Sequence, residues 1–183
     1  LEHRMMLSSV DVFAAGATNE ETIELQIDGQ TVQVWDNLGG DAYAGDFQKL
    51  SYQANEKLDP SRIRIAFVND FNDTSTGFDR NVRIDKIVVD GQTIESESLS
   101  VFSTGTWLPE DGVQPGFRQS EYLHADGYFQ YGQATKDGPT IDLRVKGSEG
   151  TERFNLIIKG QVVATYDVRT TFQTMSYQDS EAF

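Results

Sequence analysis

Apolar and polar positions alternate along most of the chain. In "ETIELQIDGQTVQVW" (21–35), Ile23, Leu25 and Ile27 alternate with polar neighbours, an Asp28-Gly29 pair follows, and Val32 and Val34 resume the alternation. A period of two on both sides of Asp-Gly predicts a β-hairpin. "RIRIAFVND" (62–70) places Ile63, Ile65 and Phe67 on one face, and "VRIDKIVVDGQTI" (82–94) runs into a second Asp-Gly turn. No stretch carries a convincing helical period. Many short strands at spacings of about ten residues predict an all-β fold, an antiparallel β-sandwich of jelly-roll type.

The pattern repeats. "VDVFAAGATNEETIELQIDGQTVQVWD" (10–36) aligns without a gap on "IDLRVKGSEGTERFNLIIKGQVVATYD" (141–167), with Asp11/Asp142, Gly16/Gly147, Glu21/Glu152, Leu25/Leu156, Gly29/Gly160 and Asp36/Asp167 among the identities. After an extra "NLGGDAYAG" (37–45) in the first copy, the match resumes as "FQKLSYQ" (47–53) against "FQTMSYQ" (172–178). The division read from this is a module at 10–131, a linker "GQATKDGP" at 132–139 with turn-forming Gly, Asp-Gly and Pro, and the opening half of a second, truncated copy at 140–183. Strands are expected at 141–145, 153–158, 162–168 and 172–177, without the partners that the first copy has at 63–69 and 82–89. A half repeat of this kind leaves an open edge and an uncovered face, so it is expected to pack on the first module or to exchange strands with another chain in a homo-oligomer.

Composition narrows the function. The 183 residues are 38% hydrophobic, with eleven Phe, seven Tyr and two Trp, enough for packed sheets. The net charge of −14, from 15 Lys+Arg against 29 Asp+Glu, repels a phosphate backbone and argues against nucleic acid as a partner. No apolar run reaches the length of a membrane-spanning helix, and no membrane partner is expected. With no cysteine and only His3 and His124, thiolate and multi-histidine metal sites are excluded, so any bound metal should be a hard cation held by oxygen. A Ser-His-acid triad would have to use one of those two histidines and no Gly-x-Ser-x-Gly elbow is present, so the chain is read as non-catalytic.

The acid concentrates in "FVNDFNDTSTGFDRNVRIDKIVVDG" (67–91), where Asp70, Asp73, Asp79 and Asp85 surround a Ser/Thr/Gly loop between two strands. So many oxygen donors on flexible backbone suit the six to eight ligands of calcium. The spacing is not that of an EF-hand, since counting from Asp70 the fifth, sixth and twelfth positions are Thr74, Ser75 and Asn81. The same residue types also build ordinary solvated loops, and that reading stays open at this point.

Three segments in order, "IRIAFVND" (63–70), "DRNVRIDKIVVDGQTIESE" (79–97) and "SEYLHADGYFQY" (120–131), resemble the calcium-dependent xylan-binding carbohydrate-binding modules of families 60 and 36. The chain departs from the family pattern at Lys86, Tyr122 and Ala125. The resemblance implies a secreted bacterial β-sandwich appended to polysaccharide-degrading enzymes, with vicinal sugar hydroxyls bound directly to a protein-held calcium. It implies Asp70 as one metal ligand and places the second on Asp79 or on Asn81. Asp85 is read either as a further ligand or as a strand residue. Phe78 and Trp107 are read as sugar-stacking rings or as core, Glu121 as a hydroxyl or metal ligand or half of an ion pair, and Tyr122 as sugar-binding. The expectation is non-catalytic, calcium-dependent polysaccharide binding. A competing reading makes the chain a calcium-stiffened spacer or adhesin repeat with no sugar ligand.

Overall fold

In the computed structural model of the chain, residues 7–132, 140–158 and 160–178 are described. The chain splits into two compact units, Leu1–Trp107 with Gly112–Gln133 and Leu108–Asp111 with Ala134–Phe183. Of the expected linker 132–139, all but Gly132 lies outside the described residues.

The first unit carries β1 (Ser9–Gly16), β2 (Ile23–Ile27), β3 (Gln30–Trp35), β4 (Gln48–Gln53), β5 (Ile63–Phe67), β6 (Asn72–Asp73), β7 (Phe78–Asp79) and β8 (Val82–Val89). There follow β9 (Gln92–Glu95), β10 (Phe102–Ser103), β11 (Trp107–Leu108), β12 (Gly112–Val113), β13 (Tyr122–Leu123) and β14 (Gly127–Gln130). Two five-stranded antiparallel sheets form a sandwich: β13-β8-β1-β4, with β9 also on β8, and β10-β14-β5-β2-β3. A single 3₁₀ turn at Pro60–Arg62 is the helical element among the described residues of this unit. The fold is the antiparallel β-sandwich that the alternation predicts.

The alternating positions meet between the sheets. Val10, Val12 and Ala14 of β1 and Ile84 and Ile87 of β8 face Ile23 and Leu25 of β2 and Ile63 and Ile65 of β5, all without solvent exposure. Burying each large aliphatic side chain contributes about 1.5–3 kcal/mol before entropy is counted. Both Asp-Gly turns form as predicted, with Asp28 and Gly29 at φ 52 and 77 and Asp90 and Gly91 at φ 51 and 85, the left-handed pair that a two-residue hairpin needs.

The second unit repeats part of this arrangement in β15 (Thr140–Val145), β16 (Glu152–Ile158), β17 (Gln161–Val168) and β18 (Gln173–Gln178). β1 pairs with β4 through Asp11↔Ser51 and Val12↔Leu50, and β15 pairs with β18 through Asp142↔Ser176 and Leu143↔Met175. The β2–β3 hairpin has Ile23↔Trp35 and a bulge after Leu25. The β16–β17 hairpin has Phe154↔Tyr166 and a bulge after Leu156. The aligned positions are therefore partnered identically, bulge included.

One turn shows why the register is kept. Glu21, fully buried, accepts the backbone N–H groups of Ala17, Thr18 and Glu20 at 3.1, 2.8 and 3.1 Å. Its counterpart Glu152 accepts those of Ser148, Glu149 and Thr151 at 2.6, 2.8 and 3.1 Å. Gly16 and Gly147 lie against these carboxylates, where a Cβ would stand 2.2 and 2.4 Å from a carboxylate oxygen. A side chain at either glycine would expel the carboxylate that holds the turn.

Candidate functional site

Register decides which loops share an end of the sandwich. Phe67 pairs with both Ile23 and Gly127, and Val82 pairs with both Gly16 and Leu123. The segments 17–22, 68–81 and 124–126 therefore emerge at the same rim. A fourth loop joins them by close backbone packing: a Cβ on Gly105 would meet the Ala125 carbonyl at 2.5 Å, and one on Gly127 would meet the Gly105 nitrogen at 2.6 Å. The Gly105 carbonyl accepts the backbone N–H groups of His124 and Ala125 at 2.8 and 3.2 Å. "STGTW" is thereby seated on "HADG", which carries Trp107 to the same rim.

The aspartates of the acidic loop separate into different roles. Asp73 shapes the loop: its side chain accepts the Ser75 backbone N–H at 2.9 Å and the Ser75 and Thr76 hydroxyls at 2.6 and 2.9 Å. These bonds, that of the Ser75 hydroxyl first, lower its pKa. Asp85 lies where β8 bulges against β1, between Ile84↔Ala14 and Lys86↔Phe13, and its carboxylate pairs with Lys86 at 2.9 Å. Its charge is felt at Tyr131, whereas the charges felt at Asp70 are those of Asp126 and Asp79. The structure thus brings Asp70 and Asp79 together and holds Asp85 in the strand.

Asp70 is the unusual member of the group. Its backbone N–H donates to Asp126 Oδ1 at 2.8 Å, while its own Oδ1 is buried without a hydrogen-bond partner. Burial raises its pKa, and the negative charges of Asp126 and Asp79 raise it further. Asp79 has both oxygens engaged, Oδ1 by the Asn72 amide and Oδ2 by the Asn81 amide, each at 2.7 Å. Asn81 is buried; its side-chain amide orients Asp79, and its backbone carbonyl accepts the Ala17 N–H at 3.0 Å and ties the 17–22 segment to the rim.

Among the described residues, no three His, Asp or Glu side chains form a ready-made metal cage. Asp70 nevertheless feels two neighbouring carboxylates and has an unpartnered buried oxygen, and calcium completes its shell with amide and carbonyl oxygens as well as carboxylates. An uncompensated anionic oxygen among like charges is stabilised by a hard cation. Asp70, Asp79 and Asp126 fit such an ion. Asp126 was not singled out from the sequence; its place in the turn between Leu123 and Gly127 was the signal that the fold supplies.

Aromatic groups belong to the loops that carry the acidic cluster. Trp107 is 48% exposed, its backbone N–H donates to His124 Nδ1 at 3.2 Å, and its ring stands edge-on to the imidazole with centroids 6.4 Å apart. Nδ1 therefore accepts and the proton sits on Nε2. Burial lowers the pKa of His124 against the opposing effect of Asp79. Phe78 packs against Phe71 at 6.1 Å, and the Arg80 guanidinium lies 5.6 Å from both ring centroids. Phe71 is 51% exposed and offers an aromatic face that the sequence reading passed over.

Glu121 and Tyr122 serve the frame. Glu121 pairs with Arg83 at 2.5 Å, each partner about one-quarter exposed. The Tyr122 hydroxyl donates to the Ala42 carbonyl at 2.9 Å, His124 stacks on its ring at 5.4 Å, and the Arg83 guanidinium lies over it at 5.4 Å. A ring contacted by an imidazole and a guanidinium, with its hydroxyl engaged, supports the site more readily than it stacks on a sugar.

Comparison with known proteins agrees with this geometry. Residues 9–104 match the family of calcium-dependent, xylan-binding carbohydrate-binding modules, family 60. The selenomethionine form of vCBM60, solved in work linking two families of calcium-dependent carbohydrate-binding modules by circular permutation, is 34% identical, with a TM-score of 0.53 over 68% of this chain and 90% of that one. The structure of vCBM60 in complex with galactobiose is 35% identical, with a TM-score of 0.51 over 68% of this chain and 97% of that one. No curated protein matches the chain. A family match over residues 9–104, which include the 17–22 and 68–81 segments of the acidic rim, and two solved modules more than 30% identical over 68% of the chain identify it as a member of carbohydrate-binding module family 60, a non-catalytic carbohydrate-binding protein.

Proposed function

We propose that the chain binds a xylan-type or related β-glycan in a calcium-dependent manner at the rim formed by Asp70, Asp79 and Asp126. The buried, unpartnered Oδ1 of Asp70 carries this reading. Asp70 and Asp79 would hold the ion, with Asp126 beside them. When bound, calcium supplies open coordination positions that two vicinal sugar hydroxyls fill. Asn72 and Asn81 orient Asp79, and Asp126 positions the Asp70 backbone. Trp107, Phe71 and Phe78 would present apolar surface to the C–H faces of sugar rings. The complex of vCBM60 with galactobiose supports a disaccharide-sized ligand. Because polysaccharides of this class lie outside cells, secretion belongs to the same reading.

A glycan array probed in calcium and again in excess chelator tests the proposal. Retention of xylan-type oligosaccharides in calcium and their loss in chelator is expected. Binding that ignores the chelator would remove the ion from the mechanism. Calcium-dependent stabilisation without any bound glycan would favour the stiffened-repeat reading.

A further inference from the structure

Two buried polar atoms of opposite character stand without partners in one loop. Among the described residues, Asp70 Oδ1 meets no hydrogen-bond donor and Arg80 Nε meets no acceptor. Buried atoms of this kind are ordinarily paired, and a guanidinium N–H on a carboxylate is a strong, charge-assisted bond. Arg80 is also the one Lys or Arg in the rim segments 17–22, 68–81 and 124–126. Its charge persists at any pH at which the protein is folded. The acidic rim thus contains a cation of its own, and the fold points it elsewhere.

Arg80 is held from several directions. Its Nη2 donates to Glu20 Oε2 at 2.6 Å and its Nη1 to the Asn69 carbonyl at 3.4 Å, while the guanidinium lies over the rings of Phe71 and Phe78. The peptide unit whose carbonyl receives Arg80 is the one whose N–H, that of Asp70, donates to Asp126. A single peptide group therefore has Arg80 on one side and Asp126 on the other. Glu20 is brought to this place by Asn69, whose side-chain amide donates to the Glu20 carbonyl at 2.9 Å and whose Oδ1 accepts the Thr22 N–H at 2.8 Å. The next residue, Glu21, is fully buried in its turn and Glu20 is exposed.

We infer, on the calcium reading proposed above, that Glu20 is a positioning residue for the ion site: by holding the Arg80 guanidinium it keeps an internal competitor off Asp70, whose free oxygen stays open to the ion. Without Glu20 the guanidinium retains its charge and loses its anionic partner, and Asp70 is the carboxylate of the loop with an oxygen to spare. The side chains of Glu20 and Arg80 are 54% and 23% exposed, and ion pairs this exposed are weak, so removal of one partner is enough to redirect the other. Calcium must then displace the guanidinium. Its apparent affinity falls with the fraction of molecules in which Asp70 remains open.

Thermal melts of the full chain in excess chelator test this without any ion. Asp70→Asn is expected to raise the Tm of the natural chain, because it removes an unpartnered charge. In the Glu20→Gln background, where Asp70 has gained Arg80, the same substitution is expected to lower it. With Arg80→Met added, which keeps an apolar stem against the rings and removes the charge, Asp70→Asn should raise Tm again. Calcium titration by calorimetry is the second arm. Glu20→Gln is expected to weaken calcium binding about fivefold, the upper end for one exposed ion pair, and to change it by less than about twofold in the Arg80→Met chain. If the lost charge of Glu20 acted only through space, calcium binding would weaken equally in both chains; that result overturns the inference, as does an effect of Asp70→Asn on Tm with the same sign in all three backgrounds. A natural chain that binds no calcium refutes the calcium reading instead, and the melts in chelator still decide whether Glu20 holds Arg80 off Asp70.

Discussion

Replacing Asp70 by Asn keeps the shape of the side chain and removes its charge, and the effect on stability is expected to change sign with calcium. Without the ion, the carboxylate has a buried oxygen with no partner and two like charges near it. A buried unpaired polar group costs about 1–3 kcal/mol and more when it is charged, and Asn keeps the unpaired oxygen but not the charge. Since Asp70 as a whole is half-buried, the lower end applies, and the variant should be about 1 kcal/mol more stable in chelator. Calcium at a hundred times its Kd would stabilise the natural chain by about 2.7 kcal/mol, and loss of one anionic ligand would remove most of that gain. In calcium the natural chain should therefore be the more stable by about 1–2 kcal/mol. For a unit of this size each kcal/mol corresponds to roughly 3–5 °C in Tm, so paired thermal melts in calcium and in chelator resolve the crossing. A variant destabilised equally in both conditions would make Asp70 an ordinary structural residue and refute the reasoning.

Other outcomes follow from the same contacts. Trp107→Ala is expected to weaken glycan binding about tenfold by calorimetry, as loss of one stacking ring implies, with Tm nearly unchanged because the side chain is 48% exposed. Glu121→Ala leaves Arg83 without its partner and should lower stability by about 1 kcal/mol in denaturant titration, with glycan affinity retained. In the second unit the hydroxyl of Ser148 and neighbouring backbone N–H groups hold Glu152 near a pKa of about 2, against an ordinary value of 4.5. A lowered carboxyl pKa contributes stability that is present above the unfolded value and lost as pH falls. Exchange protection of the Ser148, Glu149 and Thr151 amides, corrected for intrinsic rates, should therefore decline between pH 4.5 and 2, and Glu152→Gln should abolish that dependence.

Local chemistry was legible in the sequence. Alternation around Asp28-Gly29 and Asp90-Gly91 determined hairpins, because a two-residue turn with both residues at positive φ is specified by those residues alone. The alignment of 10–36 with 141–167 carried a repeated register, because the same bulge and the same Glu-held turn recur wherever the same residues do. The concentration of oxygen donors in the 67–91 loop was likewise readable, because it depends only on residues adjacent in the chain. Which aspartates gather was not. Asp126 joins Asp70 across 56 positions of chain, and only the pairing of Phe67 with Gly127 places them at one rim. Asp85 sits in the same acidic run, yet a bulge against β1 turns it toward Lys86. Tyr122 and Trp107 both look like exposed aromatics in sequence; stacking by His124 and the acceptor at Ala42 engage the first, while the backbone contact of Gly105 with Gly127 delivers the second to the surface. Turn type and strand period depend on neighbours along the chain, whereas the company a side chain keeps depends on which distant strands pair, and only the tertiary structure decides that.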